Sequence, residues 1–252
     1  MKRPGLFEKL HSLLAVPLRL IFTEPGKFVV YSSLRFQAPE KIFADIYRKN
    51  GWGDPHSRSG PGSTFSRTEI IRRTLPMLVE ELECRSVLDI PCGDFCWMSQ
   101  VDLSIELIGA DIVADLIKRN QQEYGRSNRQ FVKLNLITDP LPKVDLVLCR
   151  DALVHFSFRH IFQSLDNLKS SGSTYLLTTT FTDKKRNIDI PTGGWHPLNL
   201  QRPPFNFPAP IKIVNENCTV ENGRFLDKCL GLWKMTDLEL LRRENKRLEL
   251  RG

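Results

Sequence analysis

The sequence predicts an α/β fold built on a doubly wound, mainly parallel sheet of about seven strands, the last of them antiparallel. From Ser86 onward, short apolar segments alternate with amphipathic ones, as in parallel strands joined by right-handed crossovers. Near the end of the chain, two strand candidates have no helical pattern between them, so we expect an antiparallel pair. A length of 252 residues with 41% hydrophobic content suffices for one such domain with extensions.

The predicted strands are short apolar runs bounded by polar or turn-forming residues. In chain order they are SVLDI (86–90), LIGAD (107–111), FVKLNL (131–136), VDLVLC (144–149), TYLLTTTF (174–181), IKIVNE (211–216) and CLGLWKM (229–235).

Helices are predicted from apolar residues at helical spacing and from capping residues. Ser66 and Glu69 have the spacing of a capping box in front of one helix, and Pro76 should kink or restart it. Two further helices are predicted, one over 113–124 that stops at Gly125 and one that starts at Ser157 and closes near Gly172.

The ends of the chain are basic and predicted to be helical. Residues 1–63 form an N-terminal helical extension and loop, residues 64–235 the central domain, and residues 236–252 a charged helical tail. Leucines at 6, 10, 13 and 14 lie on one side of a basic helix. We expect this helix to pack on the domain; the alternative is contact with a membrane surface through residues 1–22.

The distribution of charge and the spacing of the cysteines argue against nucleic-acid and metal partners. The net charge of +7 lies mostly at the ends: residues 1–41 hold seven basic and three acidic side chains, and the chain from Lys234 holds six and four. A nearly neutral body does not predict a nucleic-acid partner. The six cysteines lack the paired spacing of a metal site, so we expect reduced thiols, no metal and a cytoplasmic protein.

Polar residues follow four of the predicted parallel strands, at the sheet edge where ligands bind in open α/β sheets. They are Asp89 and Gly93 after strand one, Asp111 ending strand two, Asn135 in strand three, and Arg150 and Asp151 after strand four. The dinucleotide glycine fingerprint and the phosphate loop are absent from the sequence. A ligand that carries adenosine but no pyrophosphate fits these residues at the strand ends.

Three segments carry a resemblance to a known family. VLDIPCGD (87–94) resembles motif I of class I S-adenosylmethionine-dependent methyltransferases, GADIVADLIKRNQQEYG (109–125) their second-strand block, and residues 149–181 their fourth strand, helix and fifth strand. The flanking segments 42–63 and 191–210 resemble parts of a bacterial-type subfamily of uncertain substrate. The resemblance implies a Rossmann-like fold, S-adenosylmethionine as cofactor, and residues 64–235 as the methyltransferase domain.

The resemblance also implies roles for single residues. Asp89 would orient the methionine portion of the cofactor through the backbone around Gly93, Asp111 would bind the ribose, and Asn135 the adenine amino group. The predicted cofactor-binding residues are Asp89, Cys92, Gly93, Asp94, Asp111, Asn135, Leu136 and Arg150. Pro91 and Phe95 stand where the fuller motif has glycines, which leaves the contacts of this loop open.

Catalysis is assigned to Asp151 and His155, either of which can accept a proton after strand four. The alternatives are that Asp151 caps the next turn and that His155 is a packing histidine. Loop residues outside the shared core are expected to form a lid over the acceptor or, alternatively, to pack as irregular coil. They are Trp52, residues 60–63, Trp195, His196, Asn199 and residues 205–207.

The expected activity is methyl transfer to an unidentified acceptor, a small molecule rather than a protein. Two alternatives stay open. One is a nicotinamide-dependent oxidoreductase on a similar sheet, and the other is a non-catalytic methyltransferase-like membrane-surface or interaction module that acts through its basic ends. No residue predicts the oligomeric state.

Overall fold

The computed structural model of the protein describes residues 36–218 and 223–241, Leu34, and the backbone of two short strands, β1 (Ile21–Phe22) and β2 (Phe28–Val29). The two strands pair antiparallel. The basic helix predicted near the start of the chain, the proposed membrane contact of residues 1–22, and most of the predicted C-terminal helix lie outside the described residues.

Seven strands form the central sheet. They are β3 (Ser86–Asp89), β4 (Glu106–Asp111), β5 (Arg129–Lys133), β6 (Leu146–Cys149), β7 (Tyr175–Phe181), β8 (Lys212–Asn215) and β9 (Lys228–Lys234). The spatial order is β5-β4-β3-β6-β7-β9-β8. The first five strands are parallel, and β9 pairs antiparallel with both β7 and β8. The prediction of a doubly wound sheet with an antiparallel last strand is therefore confirmed.

In the part of the chain that the structure describes, four α-helices accompany the sheet. They are α1 (Pro39–Arg48), α2 (Glu69–Glu81), α3 (Ala114–Tyr124) and α4 (Phe158–Ser170). Ser157 caps α4 as predicted, because its side chain accepts the backbone N–H of His160.

The predicted start of α2 is wrong. Residues Phe65–Arg67 form a 3₁₀ turn, so the helix begins two residues later than a cap at Ser66 would place it. Thr68, at the N-cap position, turns its hydroxyl back to the carbonyl of Thr64. Of the kink or restart predicted at Pro76, the restart is wrong, since α2 runs through that residue as one helix.

The crossovers are less helical than the sequence predicts. Only α3, between β4 and β5, and α4, between β6 and β7, are crossover α-helices of the parallel sheet. The chain passes from β3 to β4 through a loop with a single 3₁₀ turn, Met98–Gln100, and from β5 to β6 through a loop. No α-helix therefore follows Gly93 within this crossover.

Two apolar layers enclose the sheet. Side chains such as Val87, Leu148 and Leu177 face α2 and α3 on one side, whereas their neighbours Leu88 and Val147 face α4 on the other. The alternation follows from the period of two along a strand. The polar residues at the carboxyl ends of the parallel strands lie outside these two layers, at one edge of the sheet. No helix among the described residues is long and apolar enough to cross a membrane.

Candidate functional site

A cavity lies at the carboxyl ends of the parallel strands. It encloses about 1060 Å³ including its open mouth, and its walls come from the ends of β3 to β6, from α1 and from residues 50–63, here called the 50–63 loop. Nine predicted site residues line it, namely Asp89, Cys92, Gly93, Asp111, Asn135, Leu136, Arg150, Asp151 and His155. Asp94 does not.

Asp89, the last residue of β3, is a buried carboxyl without a full set of partners. It is 3% exposed, and its Oδ2 has no hydrogen-bond partner among the described residues. Burial raises the pKa of Asp89 to about 8; nearby Arg150 opposes this rise and Asp111 adds to it. An unpartnered acid at a cavity wall is suited to receive a cation or a hydrogen-bond donor.

Asp111, the last residue of β4, faces the same cavity. Its Oδ2 accepts the backbone N–H of Gly93 at 3.2 Å and its Oδ1 that of Val113 at 3.0 Å. Burial raises its pKa to about 6, although these hydrogen bonds oppose the rise. These donors use only part of the lone pairs of its two oxygens, so the carboxylate can still accept a hydrogen bond from a ligand.

Gly93 follows β3 in a left-handed conformation, with φ of +53°. Its carbonyl accepts a hydrogen bond from Asn120 Nδ2 at 2.8 Å. A Cβ atom at position 93 would stand 2.2 Å from Ser59 Oγ, so the closest neighbour of this glycine is the 50–63 loop. The glycine is required here both by φ and by space.

Asp94 points away from the cavity and fixes the 50–63 loop. Its Oδ2 accepts hydrogen bonds from Ser57 Oγ at 2.9 Å and from the backbone N–H of Arg58 at 2.7 Å. Its own backbone N–H donates to Ser59 Oγ at 2.8 Å. Asp94, predicted to contact the cofactor, thus uses its carboxylate to hold this loop and does not line the cavity.

Other residues of this turn are accommodated by packing. Phe95 has φ of +57° and is fully buried, with its ring edge-on to Phe131 at 4.8 Å. The Ile90–Pro91 peptide bond is cis. Burial raises the pKa of the Cys92 thiol well above its usual value, so Cys92 lines the cavity as a neutral thiol.

Asn135 and Leu136 lie just beyond β5, which ends at Lys133 rather than at 136 as predicted. Asn135 Oδ1 accepts the backbone N–H of Ile137 at 2.9 Å, and its backbone N–H donates to Asp139 at 2.9 Å. These bonds form a local turn in place of further sheet pairing. Both Asn135 and Leu136 still line the cavity on the β5 side.

Arg150 and Asp151, at the end of β6, belong to a buried charge cluster with Glu216 and Lys228. Arg150 Nε lies 2.6 Å from Glu216 Oε1, and Lys228 Nζ lies 2.7 Å from Asp151 Oδ2 and 3.0 Å from Glu216 Oε2. Arg150 Nη1 lies 3.2 Å from Asp151 Oδ2. Two cations and two anions are thus matched without surplus charge.

The cluster determines what Asp151 can do. Although burial acts in the opposite direction, Lys228 and Arg150 together hold the pKa of Asp151 well below its usual range. Its Oδ1 also accepts a hydrogen bond from Thr179 Oγ1 at 3.3 Å. A carboxylate so stabilised is a poor proton acceptor, and it does not cap the following turn, whose N-cap is Ala152.

His155 lies one turn further along, in the 3₁₀ helix Leu153–His155. Its Nδ1 is 2.7 Å from the carbonyl oxygen of Gly194. Because a carbonyl only accepts, this contact places the proton of the neutral ring on Nδ1 and leaves Nε2 with a lone pair. Burial lowers the pKa of His155 to about 4, so the ring is neutral at physiological pH. The ring of Trp52 lies 4.3 Å away between centroids.

Several wall residues were not predicted. Phe43 and Tyr47 of α1 and Ser59 of the 50–63 loop line the cavity, as do Trp97 and Phe156. The sequence analysis assigned α1 to an extension outside the domain. The amphipathic pattern of α1 itself could have indicated that this helix packs on the domain. Glu216 and Lys228 were also missed, although Glu216 ends one predicted strand and Lys228 directly precedes another.

The second predicted lid segment packs as irregular coil in the core. Trp195 lies edge-on to Phe181 and Phe225, and Phe205 and Phe207 are 0% and 4% exposed. The side chains of the two polar members are bound to backbone, His196 to the carbonyl of residue 188 and Asn199 to those of 182 and 184. None of these residues lines the cavity, so the lid prediction is wrong for this segment.

No family model and no curated protein sequence matches this chain. Among solved structures, human N-acetylserotonin methyltransferase in complex with SAM is similar at a TM-score of 0.56 and 13% identity, covering 79% of this chain and 60% of that chain. Magnesium protoporphyrin IX methyltransferase from Synechocystis PCC 6803 with bound SAM is similar at a TM-score of 0.53 and 16% identity, covering 79% of this chain and 97% of that chain. This chain thus spans less than two thirds of the human enzyme. With its strand order and antiparallel β9, the chain has the fold of the class I S-adenosylmethionine-dependent methyltransferases.

Proposed function

We propose that this protein is a methyltransferase that uses S-adenosylmethionine and methylates a small-molecule acceptor. The observation that carries the proposal is the pair of carboxyls, Asp89 and Asp111, at the ends of adjacent strands in one cavity. One has an unpartnered oxygen and the other has lone pairs to spare.

The residues present fit this cofactor. Asp111 would accept the ribose hydroxyls, and Asn135, two residues beyond β5, would contact the adenine. Asp89 would face the cationic end of the molecule, because its buried carboxyl becomes an anion most easily beside a positive charge. When bound, the cofactor supplies a methyl group on a positively charged sulfur.

The protein's contribution to such a transfer is mainly positioning. An in-line displacement needs the acceptor atom aligned with the methyl carbon and shielded from water. The sheet edge supplies one wall of the cavity, and α1 with the 50–63 loop supplies the other. His155 holds a neutral ring at the β6 end, where a proton from the acceptor can be received.

Calorimetry with the full chain tests the cofactor assignment. S-adenosylmethionine and S-adenosylhomocysteine should bind, NAD should not, and Asp111→Ala should weaken the first two by about 1–3 kcal/mol. Asp102→Asn, an exposed acid away from the cavity, is the matched control and should bind as the wild type does. Tight NAD binding would favour an oxidoreductase instead. A second experiment tests turnover: the protein is incubated with cell extract and cofactor, and products larger by one methylene are sought by mass spectrometry. If no such product forms, a non-catalytic module is favoured.

A further inference from the structure

The order of the strands divides the cavity into two ends. Asp111 and Asn135 follow β4 and β5, Asp89 follows the central β3, and His155 follows β6 on the far side. If the adenosine lies over β4 and β5, as proposed above, the methyl group points toward the end of β6. The acceptor then contacts the walls at that end.

No charged side chain that the structure describes at this end is left free for an acceptor. The charged side chains at this end, Arg150 and Asp151, are matched by Glu216 and Lys228 at 2.6 to 3.2 Å. Arg150 Nη2 is also occupied, by the carbonyl of Gly62 at 2.9 Å. Among the described residues, a carboxylate or phosphate finds no unpaired cation here. The unpartnered carboxyl of Asp89, on the neighbouring β3, is taken by the cofactor in the proposed function, so an ammonium finds no further unpaired carboxylate.

The remaining cation in the wall, Arg58, belongs to a different part of the cavity. Its Nη1 donates to the carbonyls of Tyr47 and Arg48 at the C-terminal end of α1, and its guanidinium stacks on the ring of Tyr47. Its backbone N–H is held by Asp94, on the β3 side. Arg58 therefore leaves the β6 end uncharged.

What the β6 end does offer is aromatic surface and one proton acceptor. Trp52, Trp97 and Phe156 present rings to the cavity. His155 presents Nε2, which has no hydrogen-bond partner among the described residues, while Nδ1 is fixed by Gly194. The contact of Trp52 with the imidazole at 4.3 Å helps to hold this ring orientation.

Taken with the proposed methyl transfer, on which the inference rests, these walls identify a class of acceptor. We propose that the acceptor is an uncharged aromatic molecule with a phenol-type hydroxyl, which hydrogen-bonds to Nε2 of His155. The acceptor oxygen bonds to the methyl carbon, the O–H proton passes to Nε2, and the electron pair of the breaking carbon–sulfur bond stays on sulfur. The proton is later released from the imidazolium to water, so charge and atoms balance.

The acidity of the acceptor's hydroxyl group decides how readily it can give a proton to His155. A phenol is as acidic as tyrosine, with a pKa of about 10, and therefore gives its proton to Nε2 far more readily than an aliphatic alcohol does. Aromatic walls also favour a planar ring over a sugar.

Five probes test the assignment in the full chain saturated with S-adenosylhomocysteine. Phenol, anisole, benzoate, benzylamine and cyclohexanol share a six-membered ring and differ in charge, planarity and hydroxyl. Dissociation constants come from NMR titration, and imidazole ¹⁵N labelling reports His155 directly. Phenol should bind about fivefold or more tightly than each of the others, and only phenol should shift the Nε2 resonance of His155.

His155→Phe removes Nε2 and retains a ring, so it should make phenol and anisole bind equally. The control is His160→Phe: His160 binds Thr192 and lies outside the cavity, and its loss should leave the preference for phenol intact. Benzoate, benzylamine or cyclohexanol binding as tightly as phenol would overturn the acceptor class, as would phenol binding without a response of Nε2. Failure of S-adenosylhomocysteine itself to bind would instead overturn the proposed function, so the two failures are distinguishable.

Discussion

The hydroxyl of Ser59 lies 2.8 Å from the backbone nitrogen of Asp94, in the space that a side chain at position 93 would need. The turn after β3 and the 50–63 loop are therefore a single packed unit. Gly93 faces this loop with a positive φ, so two separate costs attend any substitution there.

Gly93→Ala should lower the free energy of unfolding by about 1–3 kcal/mol and weaken S-adenosylhomocysteine binding, because the new methyl group displaces Ser59. Denaturant unfolding and calorimetry measure the two effects. Ser59→Gly removes the clashing hydroxyl, so the double variant should bind more tightly than Gly93→Ala alone. If the second substitution brought no recovery, the clash would not be the cause.

Asp89→Asn should stabilise the ligand-free protein and weaken cofactor binding at least about tenfold. The folded pKa of about 8 exceeds the ordinary 3.8, so the native state binds the extra proton and the wild type loses stability as pH rises between these values. The stability gain of the variant should therefore be small near pH 4 and reach about 1–3 kcal/mol near pH 8. Urea unfolding across this pH range measures it, with Asp102→Asn as the exposed control. A gain that did not depend on pH would contradict the assignment.

Lys228→Met should destabilise the protein by about 3–5 kcal/mol, because it leaves two buried carboxylates with one cation. The depressed pKa of Asp151 contributes stability that is present above its ordinary value and is lost as pH falls through the folded value. Without Lys228 this contribution shrinks, and acid unfolding should begin at a higher pH. Circular dichroism during acid titration follows the shift.

The exposed pair Lys212–Glu81 supplies the control for this experiment. Lys212→Met should change stability by no more than about 0.5 kcal/mol, since both side chains lie in water. Adding Asp151→Asn to Lys228→Met should restore part of the lost stability. Equal effects of the two lysine substitutions would mean that the cluster is not a buried, coupled unit.

Cofactor binding should slow hydrogen exchange in the 50–63 loop and leave residues 195–207 unchanged. The loop lines the cavity and is held by side-chain contacts to Asp94, whereas the second segment packs in the core. Exchange measured by mass spectrometry, with and without S-adenosylhomocysteine, distinguishes the two segments. Equal protection of both would show that residues 195–207 also respond to the cavity.

The sheet and the strand-end residues were predictable because they follow from local pattern. Apolar runs such as SVLDI locate a strand within one or two residues, and the parallel arrangement brings Asp89 and Asp111 to one edge. The β5 boundary was missed because Asn135 forms a turn with Asp139, and a side-chain turn competes with sheet pairing in a way that hydropathy does not record.

Contacts between distant parts of the chain were not predictable in the same way. Asp94 follows a motif glycine and was assigned to the cofactor, but its partners Ser57 and Ser59 lie more than thirty residues earlier. Residues 195–207 look like surface coil because of their three prolines, yet their aromatic rings fill the core. In both cases tertiary packing decides the role, and spacing along the chain carries no signal for it.

Because α1 and the 50–63 loop form one wall of the cavity, truncation of the chain before residue 64 has a practical consequence. A fragment that starts at residue 64 would keep the residues of every strand of the seven-stranded sheet and of every helix between the parallel strands. The presence of these elements in its sequence therefore gives no sign of what is missing. It would nevertheless lack Phe43, Tyr47, Trp52 and Ser59 from the ligand cavity. Its failure to bind a ligand would therefore say nothing about the intact chain.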